Sequence, residues 1–110
     1  MLSFFLAVLL AQAPSPSASP APTATPQTVV VHIKNFAYVP EQLKVAAGTR
    51  VRFVNDDDMP HTVTADDKSY DSGNLDKGAS WTHAFAKAGT STYVCAYHPF
   101  MRGSIEVTAP

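Results

Sequence analysis

Cysteine is nearly absent: Cys95 is the only one in 110 residues, so no intramolecular disulfide can form. Charge is sparse too, at 15% Asp, Glu, Lys and Arg with a formal net charge of −1, and so balanced a chain gives no reason to expect nucleic-acid binding. No amphipathic helix pattern of useful length and no internal repeat is present. There is no second metal cluster, no nucleophile motif and no carboxylate pair in a recognisable setting, so an enzyme has no positive support. Long hydrophobic runs are missing as well. The mostly apolar stretch Leu2 to Leu10 falls far short of the ~20 residues a spanning helix needs.

That stretch closes on Ala11-Gln12-Ala13, the shape of a signal-peptide apolar region followed by a small-residue cleavage site, although no Lys or Arg precedes it. Residues 1–13 are therefore expected to be a signal peptide, with an uncleaved weak anchor as the alternative. A lipid-modified cysteine is ruled out there, since the only Cys lies at 95. In an exported protein a leftover thiol is reactive, pairs between chains, or is a ligand. Residues 14–26 contain only Pro, Ser, Ala and Thr, five of them Pro. They read as a linker without a core of its own, reaching about 40 Å at ~3.1 Å per residue if fully extended.

From Gln27 the composition changes to short β-type runs separated by turns, and 27–110 is read as one domain. In Thr49-Arg50-Val51-Arg52-Phe53-Val54 the apolar and basic residues alternate, the period of a half-buried strand. Similar runs cover 28–34, 42–45, 61–65, 79–85, 90–95 and 103–108, while 66–78 is polar and turn-rich. Short strands at this spacing predict an all-β sandwich. Trp81, His83 and Phe85 share one face, where His83 reads as a core histidine hydrogen-bonded to a neighbour. His32 lies within a strand run.

The chemistry concentrates in Cys95-Ala96-Tyr97-His98-Pro99-Phe100-Met101. The C-x2-H-x2-M spacing offers a thiolate, an imidazole and a thioether from one loop. These belong to the donor set of electron-transfer copper sites, a trigonal His2Cys arrangement with a weak axial Met. A second histidine is needed, and His61 is the best placed, in Asp58-Met59-Pro60-His61-Thr62-Val63, 34 residues before Cys95. Pro99 stiffens the loop by fixing its own φ and restricting His98. The expected metal ligands are His61, Cys95, His98 and Met101, with one copper ion of type 1 as the cofactor. Such a set leaves no open position for substrate, unlike a catalytic metal site.

Asn55…Met59-Pro60-His61 and Tyr93-x-Cys95-x-x-His98-Pro99-Phe100-Met101-Arg102-Gly103 together resemble the cupredoxins, most closely the amicyanin and plastocyanin-like branch, over residues 28 to 108. The resemblance implies a cupredoxin-like Greek-key β-sandwich of about eight strands with mixed pairing. It also implies a more buried His61 and a His98 whose edge lies near solvent. Asn55 matches a residue expected to tie the ligand loops together and to place its backbone N–H near the Cys95 sulfur. Tyr97 stands where amicyanin and plastocyanins typically carry proline, so its N–H is expected to donate to the same sulfur.

The function implied is a small exported blue copper protein that carries single electrons. The alternative is a periplasmic copper-delivery or copper-resistance protein using the same ligands. Its place is periplasmic or secreted, or tethered to the membrane through its N-terminus. A monomer is expected. Its partners are redox proteins, such as a c-type cytochrome or a dehydrogenase or oxidase, docking near His98, Pro99, Phe100, Met59 and Pro60. The acidic residues at 56–58 and 66–67 are expected to border that patch and favour a basic partner.

Overall fold

The computed structural model describes residues 27–110; the signal peptide and linker expected over 1–26 lie outside the described residues. Eight strands run in the order β1 (Thr28–Lys34), β2 (Ala37–Val39), β3 (Gln42–Ala46), β4 (Thr49–Asn55), β5 (Thr64–Ala65), β6 (Ser80–Phe85), β7 (Gly89–Val94) and β8 (Arg102–Thr108). They form two four-stranded sheets, ordered β2-β1-β4-β6 and β3-β8-β7-β5. Pairing is mixed, as expected. β1 runs parallel to β4 and β3 parallel to β8, and the remaining ladders are antiparallel.

Period-2 alternation puts one face of each main strand in the core. On β4, Val51 and Phe53 are buried while Arg50 and Arg52 point outward. Val31, Ile33, Val63, Tyr93 and Ile105 fill the space between the sheets with no exposed area. The Tyr93 ring stands edge-to-face against Tyr38 at 4.7 Å and Phe53 at 5.4 Å, a geometry aromatic pairs favour. Across the β7/β8 ladder Tyr93 faces Gly103, where a Cβ would lie 2.5 Å from the Tyr93 ring. Glycine is required there because nothing larger fits beneath the ring. This packing fixes the end of β7, and Cys95 follows directly.

Three local features depart from the sequence reading. The run after β1 is a tight hairpin: Asn35 and Phe36 form its two-residue turn and β2 returns antiparallel, with Lys34 opposite Ala37. The polar stretch 66–78 is not wholly solvated, since it buries Tyr70 and Leu75 and adds isolated bridges His61 to Leu75 and Thr64 to Asp71. His83 is only partly buried and stacks on Trp81 at 5.2 Å and 13°. Ring stacking, not the expected hydrogen bond, holds it.

Candidate metal centre

Two loops at one end of the sandwich carry the donors. The first leaves β4 at Asn55 and delivers His61, whose backbone exchanges both hydrogen bonds with Leu75, at 3.0 and 2.8 Å. The second joins β7 to β8. It is closed on itself by Cys95 N–H to Met101 C=O at 3.1 Å, His98 N–H to Cys95 C=O at 3.2 Å and Met101 N–H to His98 C=O at 2.8 Å. A loop this tightly bonded supplies Cys95, His98 and Met101 with little freedom to rearrange.

His61 Nδ1 lies 3.8 Å and His98 Nδ1 3.7 Å from Cys95 Sγ, and the three donor atoms all fall within 4.8 Å of one another. Those N···S separations match a trigonal arrangement with a metal about 2.0 Å from nitrogen and about 2.3 Å from sulfur. One soft thiolate with two imidazoles suits copper. His61 and Cys95 have no exposed area and Met101 is 2% exposed, while His98 is partly open to solvent. The expected contrast in burial is present, with His61 enclosed and His98 near solvent.

Asp57 grips His61 from behind, with Oδ2 2.8 Å from Nε2. That contact puts the N–H on Nε2 and leaves Nδ1 as the lone-pair donor. The same carboxylate accepts the backbone N–H groups of Asn35 at 2.7 Å and Phe36 at 2.9 Å. Burial pushes the Asp57 carboxyl up, but these two N–H bonds and the His61 contact outweigh it and hold its pKa below the ordinary carboxylate value.

The residue touching the sulfur differs from the one expected. Asn55 donates its backbone N–H to Ala79 C=O at 2.9 Å. Its side-chain amide bonds the carbonyls of Met59 at 2.9 Å and Leu75 at 2.8 Å, and its Oδ1 accepts Asp57 N–H at 2.9 Å. Asn55 therefore organises the His61 loop against 74–79 and does not reach Cys95. Thr62 takes that place: its backbone N–H points at Sγ at 3.4 Å and its Oγ1 accepts Ala96 N–H at 2.8 Å. Tyr97 makes no hydrogen bond to the sulfur among the described residues. Its hydroxyl instead donates to Asn74 Oδ1 at 3.0 Å.

Phe36 was not anticipated at all. Its ring stands edge-on to both ligand imidazoles, 5.4 Å from His61 and 5.1 Å from His98. Phe100, whose ring lies 6.5 Å from it, is 71% exposed, and Met59 is 49% exposed. The acidic border is largely committed elsewhere. Asp56 pairs with His32 at 2.6 Å, Asp58 with Lys77 at 2.6 Å and Asp66 with Arg102 at 2.8 Å, while Asp57 is turned inward.

The model of the cupredoxin-like domain family matches residues 2–107. The amicyanin of Paracoccus denitrificans is 31% identical over 99 residues, covering 86% of this chain and 76% of the relative. That of Paracoccus versutus is 32% identical over 84 residues, covering 72% of this chain and 64% of the relative, slightly under two thirds of its length. A solved Cu(I) structure of an amicyanin variant superposes with a TM-score of 0.69 at 30% identity, over 74% of this chain and 82% of that one. A copper-containing nitrite reductase from Thermus scotoductus superposes with a TM-score of 0.72 at 29% identity, over 78% of this chain but 23% of the enzyme.

Proposed function

This chain belongs to the cupredoxin-like domain family and carries the donor set of a type 1 copper site, and from that premise we propose that it is an exported carrier of single electrons. The observation that carries the reading is the convergence of His61 Nδ1, Cys95 Sγ and His98 Nδ1 inside a wall of fixed hydrogen bonds. His61, Cys95 and His98 would hold the copper, and Met101 would add a weak thioether donor. Bound copper supplies a one-electron Cu(II)/Cu(I) couple.

The residues around the centre suit that couple. Four protein donors would fill the coordination of the metal, which favours an electron carrier over an enzyme that needs an open position for its substrate. Asp57 fixes His61 and Thr62 ties its loop to the Cys95 loop, so little has to move when the charge at the centre changes. His98 is the ligand with an open edge, and with Phe100, Pro99, Met59 and Pro60 it forms the contact surface for a redox protein. Such surfaces are small and suited to brief encounters. The apolar run and small-residue pair at 2–13 support export to an extracytoplasmic space, and 14–26 serves as a spacer.

The test is a visible and EPR spectrum of the protein purified from the full chain after one equivalent of Cu(II), beside Cys95→Ser. An intense blue band with narrow copper hyperfine splitting, lost in the variant, is the expected result. An ordinary pale Cu(II) spectrum that Cys95→Ser leaves unchanged would sink the reading. Rapid loss of Cu(I) from a genuinely blue protein to a competing chelator would move it to copper delivery.

A further inference from the structure

The β1–β2 hairpin places both central residues at positive φ, 52° for Asn35 and 57° for Phe36, as a two-residue hairpin turn of the primed type requires. Asparagine tolerates this region and glycine is the usual partner. A bulky side chain there is an outlier, and such strain persists only where the surroundings over-determine it. Here the over-determination is visible: the two strained N–H groups are both held by the Asp57 carboxylate, whose Oδ2 also bonds His61 Nε2. The turn and the ligand hang on one side chain.

The core does not need this ring. Phe36 is 41% exposed, and its ring neighbours are His61 at 5.4 Å and 87°, His98 at 5.1 Å and 83°, and Phe100 at 6.5 Å. The torsion that turns an imidazole about its Cβ–Cγ bond is soft. His61 is also gripped at Nε2 by Asp57, but His98 has no hydrogen bond at Nε2 among the described residues. Outside its own loop, His98 has the Phe36 ring and the His61 ring, each at 5.1 Å, to set its plane, and within the loop the Phe100 ring lies 5.9 Å away.

We propose that Phe36 is a positioning residue for the copper ligands: held in the glycine place of a tight turn by Asp57, it presents one ring edge to both imidazoles and fixes their planes, that of His98 above all. This rests on the copper reading above. The ring acts before any metal arrives, by keeping the Nδ1 atoms aimed at Cys95. It thereby lowers the rearrangement that accompanies electron transfer.

The experiment compares wild type, Phe36→Gly and Phe36→Leu in the full chain, copper-free and copper-loaded. Glycine relieves the backbone and removes the ring; leucine keeps the strain and removes the edge. In copper-free protein, Phe36→Gly should melt at or above the wild-type temperature, because the left-handed turn favours glycine, while NMR relaxation shows the His98 ring newly mobile. In the loaded protein, both variants should shift the reduction potential, alter the copper hyperfine splitting and slow electron self-exchange severalfold. An unchanged His98 ring and an unchanged copper spectrum in Phe36→Gly would overturn the proposal. So would ring mobility that tracks a fall in copper-free melting temperature in both variants, since that is packing alone. If the wild type itself fails to form a blue centre, the copper reading fails, whereas the copper-free ring measurement still decides what Phe36 does.

Discussion

Histidine is packed among aromatic rings at both ends of this sandwich, and among the described residues only one end gathers metal donors. At the loop end, His61 and His98 lie 5.1 Å apart beneath Phe36. At the other, where β6 approaches the start of β4, His83 stacks on Trp81, lies 4.6 Å from Tyr70 and meets Phe85 at 4.9 Å. Ring density is alike in the two places. Hydrogen bonding is not. Around His61 and Cys95, Asp57, Thr62 and Leu75 aim each donor, whereas the rings of the far cluster have one side-chain hydrogen bond among the described residues, between the Tyr70 hydroxyl and Ser91 Oγ at 2.6 Å. Ring density alone does not gather nitrogen atoms on a common point; at the loop end polar contacts aim His61 and Cys95, and the Phe36 ring sets the plane of His98 beside them.

The contrast is broken most severely at Thr62, which joins the two ligand loops. Thr62→Val keeps the shape and removes Oγ1, leaving the Ala96 N–H without its acceptor and Thr64 Oγ1 with Asp71 at 3.1 Å alone. Each of the two hydrogen bonds lost, one part-buried and one buried, is worth about 0.5–1.5 kcal/mol, so urea unfolding of the copper-free protein should show a loss of about 1–3 kcal/mol. The copper spectrum of the loaded variant should shift as well, because the Thr62 N–H is the one pointing at Sγ. Unchanged unfolding and an unchanged spectrum together would mean that loop cross-linking does not distinguish the ends.

A smaller effect is expected at the far end from Tyr70→Phe. It deletes the Ser91 bond and should lower stability by about 1 kcal/mol, with the copper spectrum and reduction potential unmoved. A shift in either would show that the two ends are coupled through the sheets.

How much of this could be read from residues alone follows the range of each interaction. The outward Arg50 and Arg52 and inward Val51 and Phe53 declare β4, because period-2 burial is a local property. Three donors are equally legible in Cys95, His98 and Met101, since one loop carries them. His61 could be found by its neighbours Met59 and Pro60. What stayed hidden depends on how distant segments meet. The sulfur contact falls to Thr62, 33 residues from Cys95, rather than Asn55, and that choice is made by the way the two loops dock. Asp57 looked like one more solvated charge in an acidic triplet, yet its side chain is 12% exposed and serves three donors. Phe36 lacked the glycine that flags a tight hairpin, so neither its turn nor its ring could be placed. The signal that did exist was Asn35 followed by a residue bounded by two strand-like runs.

The faintest effect, and the sharpest separation of the two ends, lies in the pH dependence of His83. Burial holds its pKa below the ordinary histidine value, and no carboxylate hydrogen-bonds it among the described residues. In the unfolded chain the group protonates near pH ~6.5, whereas the folded state resists. The unfolded state therefore binds more protons just below that pH. The stability due to the neutral ring is fully present above pH ~6.5 and is lost as pH falls from there through the folded value. His83→Phe keeps a ring against Trp81 and Tyr70 and removes the proton. Urea midpoints of the copper-free proteins at pH 7.5 and pH 5.5 check it: the variant should gain on the wild type as the pH drops, and His32, His61 and His98 cancel in the difference because both proteins carry them. Parallel midpoints would mean the far cluster leaves His83 free to titrate as it does in water. A variant that loses ground at pH 5.5 would show the Trp81 face holding the imidazolium by cation–π attraction, and the far cluster would then orient its histidine electrostatically after all.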